Sequence, residues 1–288
     1  MKGLLIYNQF LLSPKFSEVN ALYLDAAARL GVDMRAMSNR EWPVMLPFEW
    51  RRPVFDFVLF LDKDIRLARA LELSGYRVVN SSRCISVCDN KSDMYIALAH
   101  AGVPVPQTML APFTYDNVGY YSYEFLTAAE ERLGFPMIVK ESYGSFGQQV
   151  YLAEDKSDLL TIVKHIKSKP FLMQRFLSES RGWDIRINIV GGKVVGCMRR
   201  ENKTDFRSNL TLGGKATPHK ASGAEMEVAR AAARAVDADF CGVDLLYDDG
   251  KPVVCEVNAN CHIKTLLETT GINAAEATIH YLQSATQH

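Results

Sequence analysis

The chain of 288 residues lacks an excess of charge of either sign, since 33 Lys and Arg stand against 33 Asp and Glu. A net charge near zero excludes the broad basic surface that grips nucleic acid or an anionic membrane, so any anion site must be local. No apolar run approaches the roughly 20 residues that a membrane-spanning helix needs. The first seven residues become polar too soon for a signal peptide and are typical of a strand. We therefore expect a soluble protein with no nucleic-acid or membrane partner.

The six cysteines form no Cys-x-x-Cys pair, which is a spacing common in zinc and redox sites. Cys84 and Cys88 are four residues apart, a spacing close to no common zinc site. Cys241 and Cys255 lie in apolar runs, where a thiol behaves as a small hydrophobic group. This usage predicts reduced thiols in a cytoplasmic protein.

Two nucleotide-binding motifs are also absent. The turn after the first predicted strand has no G-x-G-x-x-G, which excludes the dinucleotide site of that motif. No G-x-x-x-x-G-K-[S/T] occurs in the chain, which excludes a P-loop. A nucleotide would therefore have to be bound by a different arrangement of residues.

Strands and helices alternate over the first ninety or so residues. Strands are predicted at 3–7, 32–37, 56–61 and 76–80. Helices are predicted at 18–30 and 64–74, where Gly31 and Gly75 end them. Such alternation predicts a parallel α/β sheet.

From residue 91 onward the pattern is α+β, with mostly antiparallel hairpins. Helices are predicted at 91–101, 124–133, 158–167, 224–236 and 273–283. Strands are predicted at 137–140, 149–152 and 171–176, and the rest of the chain up to residue 258 is rich in strands apart from the helix at 224–236.

Two acids lie inside apolar strand-like runs, Asp244 and Glu256, on either side of a turn at 248–250. An isolated buried carboxylate is costly, so each needs a cation or several donors. Asn258 shares a face with Glu256, and together the three offer the hard oxygens that Mg²⁺ prefers. We predict that Asp244 pairs with Glu256, which requires an odd-length loop such as 249–251. The alternative that the residues leave open is one buried salt bridge for each acid.

A second cluster begins with Lys140, at the end of the apolar run 137–140, and continues into a small-residue loop at 144–147. The ammonium could point at a nucleotide phosphate, and the loop could offer its backbone N–H groups to phosphate oxygens. A lysine at a strand end more often simply extends toward solvent, so this cluster alone is weak evidence.

A third cluster contains arginines near the two acids. Its segments are 183–186 (Trp-Asp-Ile-Arg), 199–200 (Arg-Arg) and 205–209 (Asp-Phe-Arg-Ser-Asn). Several guanidinium groups would together bind phosphate oxygens. Surface ion pairs are the alternative interpretation.

Together the clusters have one order and spacing: Lys91, Lys140, 144–147, 174–177, 184–186, Arg200, 205–209, 242–244 and 256–258. This order resembles that of the ATP-grasp ligases, specifically the RimK type, which adds glutamate to the C-terminus of a ribosomal protein. The resemblance is close from about Asp89 to Tyr281 and is made highly specific by the runs 205–209 and 256–258. Residues 1–88 resemble the family's preceding lobe only in topology.

The resemblance implies a role for each matching residue. It implies that the phosphates of ATP are bound by Lys91 and Lys140, the adenine by the backbone of Gln174, Arg175, Phe176 and Leu177, and the ribose by Asp184. It implies further ATP contacts from Arg207, Ser208 and Asn209, and a closing lid that contains Gly144, Ser145 and Gly147. Two Mg²⁺ ions, or Mn²⁺, would be held by Asp244, Glu256 and Asn258. Arg186 and Arg200 would be catalytic, stabilising the transferring phosphoryl group.

Two features depart from the family's pattern. At 175–176 the family often has Glu-Tyr or Glu-Phe, but adenine is bound there by the backbone, so the change affects little. After Asn258 many relatives continue Ala-Ser-Pro-Gly, whereas this chain continues Ala-Asn-Cys-His-Ile-Lys-Thr over 259–265. That stretch often lines the substrate pocket, so glutamate is not carried over as the substrate. A Cys261–His262 nucleophile has no identifiable orienting partner, and His262 as a base for the amine stays a hypothesis.

We therefore expect an ATP-grasp fold of mixed α/β and α+β class. A Rossmann-like lobe would span 1–88 and the ATP-grasp domain 89–288, with a central lobe at about 110–175 and a C-terminal lobe at about 176–288. The expected reaction joins a small-molecule carboxylate to an amine, as amino acids or peptides, with conversion of ATP to ADP and phosphate. The resemblance favours a homodimer or homotetramer. The alternatives are a small-molecule kinase of this fold and a nucleotide binder without turnover.

Overall fold

The structure, a computed structural model, describes residues 1–47, 54–210 and 213–285. Its first sheet contains β1 (Lys2–Tyr7), β2 (Asp33–Ser38), β3 (Phe57–Leu61) and β4 (Val78–Val79). These strands pair in parallel in the order β2-β1-β3-β4, as their alternation with helices predicts. Strand β3 is buried throughout, which explains why its sequence is continuously apolar.

Three helices pack on this sheet: α1 (Pro14–Arg29), α2 (Ile65–Leu73) and α3 (Ser82–Asp89). Helix α1 packs on the face that carries Leu5, and the other two pack on the face of Leu4. Helix α3 was not predicted. It is only eight residues long and its first turn is capped by the Ser81 hydroxyl, which accepts from Cys84 N at 3.1 Å.

The second sheet is antiparallel and contains β5 (Thr108–Leu110), β6 (Met137–Glu141), β7 (Val150–Ala153) and β8 (Phe171–Arg175), in the order β5-β8-β6-β7. Helices α5 (Phe125–Leu133) and α6 (Lys156–Ile166) pack on one face, against Met137, Val139 and Phe171. Because side chains alternate along a strand, Lys140 and Gln174 lie on the other face.

The third sheet contains β9 (Trp183–Val190), β10 (Lys193–Glu201), β11 (Lys215–Pro218), β12 (Phe240–Asp248) and β13 (Lys251–Asn258). Its order is β11-β10-β9-β12-β13, and every pair is antiparallel. Helices α4 (Lys91–His100) and α7 (Gly223–Ala235) cover the apolar face formed by Ile185, Ile187 and Val243. The opposite face is therefore available for polar side chains.

Two further helices, α8 (Lys264–Thr270) and α9 (Ala274–Ala285), return the chain to the first sheet. Leu266 and Ile279 share a core with Leu5 of β1. The sequence pattern predicted α9 but not the seven-residue α8. Over the ranges that the structure describes, none of the helices combines the length and apolar character that crossing a bilayer requires.

Candidate active site

A row of charged side chains lies on one face of the third sheet. Along β9, Asp184 and Arg186 alternate with buried isoleucines, so both point away from α7. The strand register sets Arg200 of β10 beside Asp184 and sets Asp244 of β12 beside Arg186. Three strands therefore bring four charged groups into contact.

These four groups form one buried ion-pair network. Arg186 donates to Asp244 from Nε and from Nη2, with Nη2 2.6 Å from Oδ2. Arg200 binds two acids, since its Nε lies 2.7 Å from Asp184 Oδ1 and its Nη2 lies 2.9 Å from Asp244 Oδ2. The Ser208 hydroxyl donates to Asp184 as well. The side chains of Arg186 and Asp244 are only 9% and 6% exposed, so the network is fixed by the fold.

Glu256 and Asn258 of β13 adjoin this network. The ammonium Nζ of Lys91 lies 3.2 Å from Glu256 Oε1, and the Glu256 side chain keeps 29% of its surface exposed. Asn258 Nδ2 lies 3.5 Å from Asp244 Oδ2. Both acids are thus in salt bridges, Asp244 with two arginines and the partly exposed Glu256 with Lys91, rather than each in one buried pair.

Both acids are anionic at neutral pH. Burial alone would raise the pKa of Asp244, but Arg186 and Arg200 hold it below its ordinary value. Burial would also raise the pKa of Glu256, which the Lys91 ammonium instead lowers. Both acids are therefore in the charged form that a metal ligand requires.

The donor set fits Mg²⁺ when an amide oxygen is counted with the two acids. Within the described residues, no three His, Cys, Asp or Glu side chains form a metal-binding group. A site here would therefore need the amide oxygen of Asn258 as a third protein donor, with Glu256 as the acid that solvent can reach. Magnesium takes few protein oxygens and completes its coordination with water and phosphate, so such a set is sufficient.

The turn between β12 and β13 is shorter than predicted. Asp248 pairs with Lys251, so the loop is only Asp249 and Gly250, and the predicted three-residue loop 249–251 is wrong. Both loop residues have positive φ, 52° and 71°, as in two-residue turns whose twist matches that of the strands. An even-length loop by itself would put the two acids on opposite faces.

A bulge at Cys255 restores the predicted pairing of the acids. Leu245 pairs with Val254, but Asp244 pairs with Glu256, so Cys255 is an extra residue in β13. The prediction that Asp244 lies opposite Glu256 is therefore confirmed. The shift of one residue comes from the bulge and not from the loop.

Lys140 extends from the second sheet to the bulge in the third. Its Nζ lies 3.2 Å from the Tyr95 hydroxyl and 3.8 Å from Cys255 Sγ. Burial opposes its charge, but Cys255, Tyr95 and Glu256 raise its pKa above the ordinary value. The ammonium therefore stays charged, and with three donors it can also bind a phosphate oxygen.

The small-residue loop 144–147 is held by cations of the site. Lys91 Nζ donates to the carbonyl oxygen of Gly144 at 3.1 Å. Arg207 Nη1 donates to the carbonyl oxygen of Gly147 at 2.7 Å. Lys91 and Arg207 are both predicted to contact ATP, and they thus hold the loop that is predicted to close over it.

The middle and end of this loop pack against the rest of the protein. Gly147 has a φ of 72°, and a methyl group there would lie 2.7 Å from Asn209 Oδ1. The Ser145 hydroxyl accepts from Lys63 Nζ at 3.2 Å. Lys63 could not be predicted as a neighbour of this loop, because the contact joins residues 82 positions apart.

The segment 174–177 lies at the end of β8, where the chain leaves the second sheet toward the third. Gln174 and Leu177 are buried. Arg175 forms an ion pair with the end of β12, and the Phe176 ring lies 5.7 Å from a guanidinium group. These side chains already contact other parts of the protein, so a ligand that binds here would contact the backbone.

The stretch after Asn258 does not form a nucleophile–base pair. Cys261 is buried, and burial raises the pKa of its thiol. The His262 ring contacts the backbone carbonyl of Lys15 at 3.2 Å, and burial lowers its pKa. A protonated thiol beside a histidine with another partner lacks the geometry of an activated nucleophile.

The sequence profile of the RimK-like ATP-grasp domain matches residues 88–282. Human N-acetylaspartylglutamate synthase A is 40% identical over 205 residues, which are 69% of this chain and 50% of that protein. The probable alpha-L-glutamate ligase of Maridesulfovibrio salexigens is 34% identical over 224 residues, 77% of this chain and 72% of that protein. The chain thus spans about half the length of the human relative.

Solved structures share the fold at low identity. The ATP-grasp ligase PsnB, complexed with a phosphomimetic variant of its minimal precursor, Mg and ADP, has a TM-score of 0.72. It is 16% identical, and the match covers 99% of this chain and 98% of that one. The described sheets and helices therefore form an ATP-grasp fold.

Proposed function

The chain belongs to the RimK-like ATP-grasp family of carboxylate–amine ligases, and we propose that it forms an amide bond through an acyl phosphate. In this reaction a carboxylate oxygen attacks the γ-phosphorus of ATP and ADP leaves. The amine then attacks the acyl carbon and displaces phosphate. The proposal rests on the site of this chain, since the chain covers only half of its human relative.

The observation that carries the proposal is the buried network of Arg186, Arg200 and the acids Asp184 and Asp244. The two guanidinium groups are held by bonds of 2.6 to 2.9 Å to carboxylates. Each has five donors in a fixed plane, so donors remain for phosphate oxygens. Charge preorganised in this way stabilises a transferring phosphoryl group without rearrangement during the reaction.

We propose that ATP binds between the second and third sheets. Its phosphates would meet Lys91 and Lys140, and its adenine would meet the backbone of 174–177. The segment 207–209 would contact the phosphates beside the loop 144–147, which would act as a lid that excludes water from the acyl phosphate. The bonds from Lys91 and Arg207 to this loop support the arrangement.

Asp184 is predicted to bind the ribose, and this stays a prediction. Its oxygens accept from Arg200 and Ser208. We propose that its first role is to fix the Arg200 guanidinium. A ribose hydroxyl would donate to Oδ1, which accepts from Arg200 Nε, whereas Oδ2 accepts from both Arg200 Nη2 and Ser208.

Magnesium, with manganese as an alternative, would be held by Asp244, Glu256 and Asn258, and two ions are proposed. When bound, the metal neutralises charge on the phosphate oxygens and polarises them. The protein supplies two anionic carboxylates and an amide, of which Glu256 is the more exposed acid. Lys91 balances Glu256 in the protein alone.

The substrates that we propose are small: a carboxylate and an amine, as amino acids or peptides. Both relatives named above carry glutamate in their names, which makes glutamate the first amine to test. The altered stretch 259–265 is the reason to test other amino acids too. We also propose a cytoplasmic homo-oligomer that acts without nucleic acid or membrane.

Phosphate release from ATP and Mg²⁺, measured against a panel of carboxylates with amino acids and short peptides, tests this function. We expect release that requires both a carboxylate and an amine, with an amide product detected by mass spectrometry. Release that requires only one substrate and yields a stable phosphoester would contradict the ligase and identify a kinase. Tight ATP binding without release from any pair would identify a binder that lacks turnover.

A further inference from the structure

Helix α4 lies along β13, which is the last strand of the third sheet in the described part of the chain. The Tyr95 hydroxyl donates to the carbonyl oxygen of Cys255 at 2.5 Å. Val257 N donates to Met94 Sδ at 3.1 Å, and Lys91 binds the acid between these two strand residues. Side chains spaced i, i+3 and i+4 on one helix face thus contact three successive residues of β13.

The contact made by Tyr95 falls on the bulge. Cys255 is the extra residue of β13, so its backbone departs from the regular ladder and its carbonyl is satisfied by a side chain. A hydroxyl offers one donor and two acceptor positions. The Tyr95 hydroxyl donates its proton to the Cys255 carbonyl oxygen and accepts from Lys140 Nζ at 3.2 Å.

The bulge decides which residue faces Asp244. If β13 continued in the register that pairs Leu245 with Val254, Cys255 would lie opposite Asp244. Glu256 would then point to the other face, because a shift of one residue reverses every side chain. The position of Glu256 therefore depends on keeping the bulge.

We propose that Tyr95 is a positioning residue of the ligase site, whose hydroxyl holds the Cys255 bulge and joins it to Lys140. Tyr95 thereby sets Glu256 opposite Asp244 and fixes the Lys140 ammonium beside them. This inference rests on the proposed function for the role of the groups that it positions. Tyr95 itself need not touch a substrate.

Tyr95→Phe tests the proposal because it removes only the hydroxyl and keeps the ring in place. The matched control is Tyr120→Phe. The Tyr120 hydroxyl also donates to a backbone carbonyl at 2.5 Å, that of Pro112, but it lies away from the third sheet. For Tyr95→Phe we expect a kcat about 10- to 100-fold lower, the range seen when a partner behind a metal ligand is lost. The Mg²⁺ concentration for half-maximal ADP binding, measured by calorimetry, should rise. The control should match the wild type in both.

Equal kcat and equal Mg²⁺ requirement in the two variants would overturn the proposal. A fall in kcat with an unchanged Mg²⁺ requirement would also overturn it, since Glu256 would then be correctly placed without the hydroxyl. Thermal unfolding of both variants checks that each is folded. If the wild type ligates no substrate pair, the proposed function fails, and the Mg²⁺ dependence of ADP binding in the Tyr95 variant still decides the positioning role.

Discussion

Asp244 is the residue on which both buried arginines depend. Arg186 and Arg200 each contact its carboxylate, and it has little exposure of its own. A buried ion pair adds modest net stability as a whole, but removing one partner leaves the other charge without compensation.

Asp244→Asn is therefore predicted to lower the free energy of unfolding by about 3–5 kcal/mol, as measured by urea denaturation. The matched control is Asp205→Asn, since Asp205 pairs with Arg207 at a site where both side chains are about a quarter exposed. Partly exposed pairs contribute little, so its loss should stay below about 1 kcal/mol. Similar losses of unfolding free energy in the two variants would mean that burial does not raise the cost of removing one partner from the network.

Glu256→Gln is predicted to lower the ligation rate at least about 100-fold, because it removes the anionic carboxylate that is proposed to hold magnesium against the phosphates of ATP. The rate of amide formation measures this. Glu130→Gln is the control, because Glu130 pairs with Lys156 at 2.8 Å on the surface, and it should keep the wild-type rate. A Glu256 variant with more than half of the wild-type rate would remove this acid from the mechanism.

The strand positions of Asp244 and Glu256 could be predicted better than the residues that they contact. The pairing of Asp244 with Glu256 was predicted with an odd-length loop, whereas the bulge at Cys255 provides it. The bond of Asp244 to Arg186 could not be predicted, since it depends on which strands become neighbours in a sheet, and the two residues are 58 positions apart. Sequence periodicity gives the face of a residue but not the strand beside it.

At the scale of elements, the loop 144–147 combines a backbone constraint with a contact. Gly147 has a φ of 72°, and an added methyl group would meet Asn209. Gly134 has a φ of 68° with open space around it. Comparing substitutions at the two glycines therefore separates the effect of backbone strain from that of the contact with Asn209.

Gly147→Ala is predicted to raise the KM for ATP severalfold in steady-state assays, because the loop can no longer close against 207–209. Gly134→Ala carries the same strain of about 1–3 kcal/mol and should lower the melting temperature without changing this KM. A similar KM for ATP in both variants would show that the loop does not contact the nucleotide.

Helix α7 begins with a capping box, in which Ser222 and Glu225 each accept from the other's backbone N–H group. Glu225 is buried and accepts from Ser222 N at 2.6 Å and from the Tyr247 hydroxyl at 2.8 Å. Burial would raise its pKa, but these bonds and His219 lower it below the ordinary 4.5. A carboxyl whose pKa is lower in the folded than in the unfolded protein stabilises the fold at pH values above its unfolded pKa. This stability is lost as the pH falls through the folded pKa.

The free energy of unfolding is thus predicted to fall between about pH 5 and pH 3 by more in the wild type than in Glu225→Gln. Denaturant titrations across this range measure the difference. Parallel pH profiles for the two proteins would contradict the assigned role of Glu225.

Most helices and strands could be predicted from periodicity, with ends that differ by a few residues. The bulge at Cys255, strand β5 and helices α3 and α8 could not. Cys255 is apolar in character like Val253 and Val254 before it, and nothing local marks it as extra. Both missed helices are eight residues or fewer, too short for a periodic pattern, and are stabilised mainly by distant contacts.

At the scale of the whole molecule, the ATP-grasp fold and the family resemblance are confirmed by the profile match and by solved structures. The match at 88–282 closely follows the stretch from Asp89 to Tyr281 that the motifs indicated. The division into lobes at residues 88, 110 and 175 stays a prediction. The substrates could not be predicted, because the stretch 259–265 departs from the motifs that identified the family.

The proposed reaction requires that a carboxylate be activated as an acyl phosphate. Ligation with a carboxylate substrate labelled with ¹⁸O tests this activation, once a productive substrate pair is known. Attack by the carboxylate on the γ-phosphorus leaves one carboxylate oxygen in the phosphate that the amine displaces. We predict one ¹⁸O atom in the released phosphate, detected by mass spectrometry or by the shift of its ³¹P resonance. Unlabelled phosphate formed together with the amide would contradict the account.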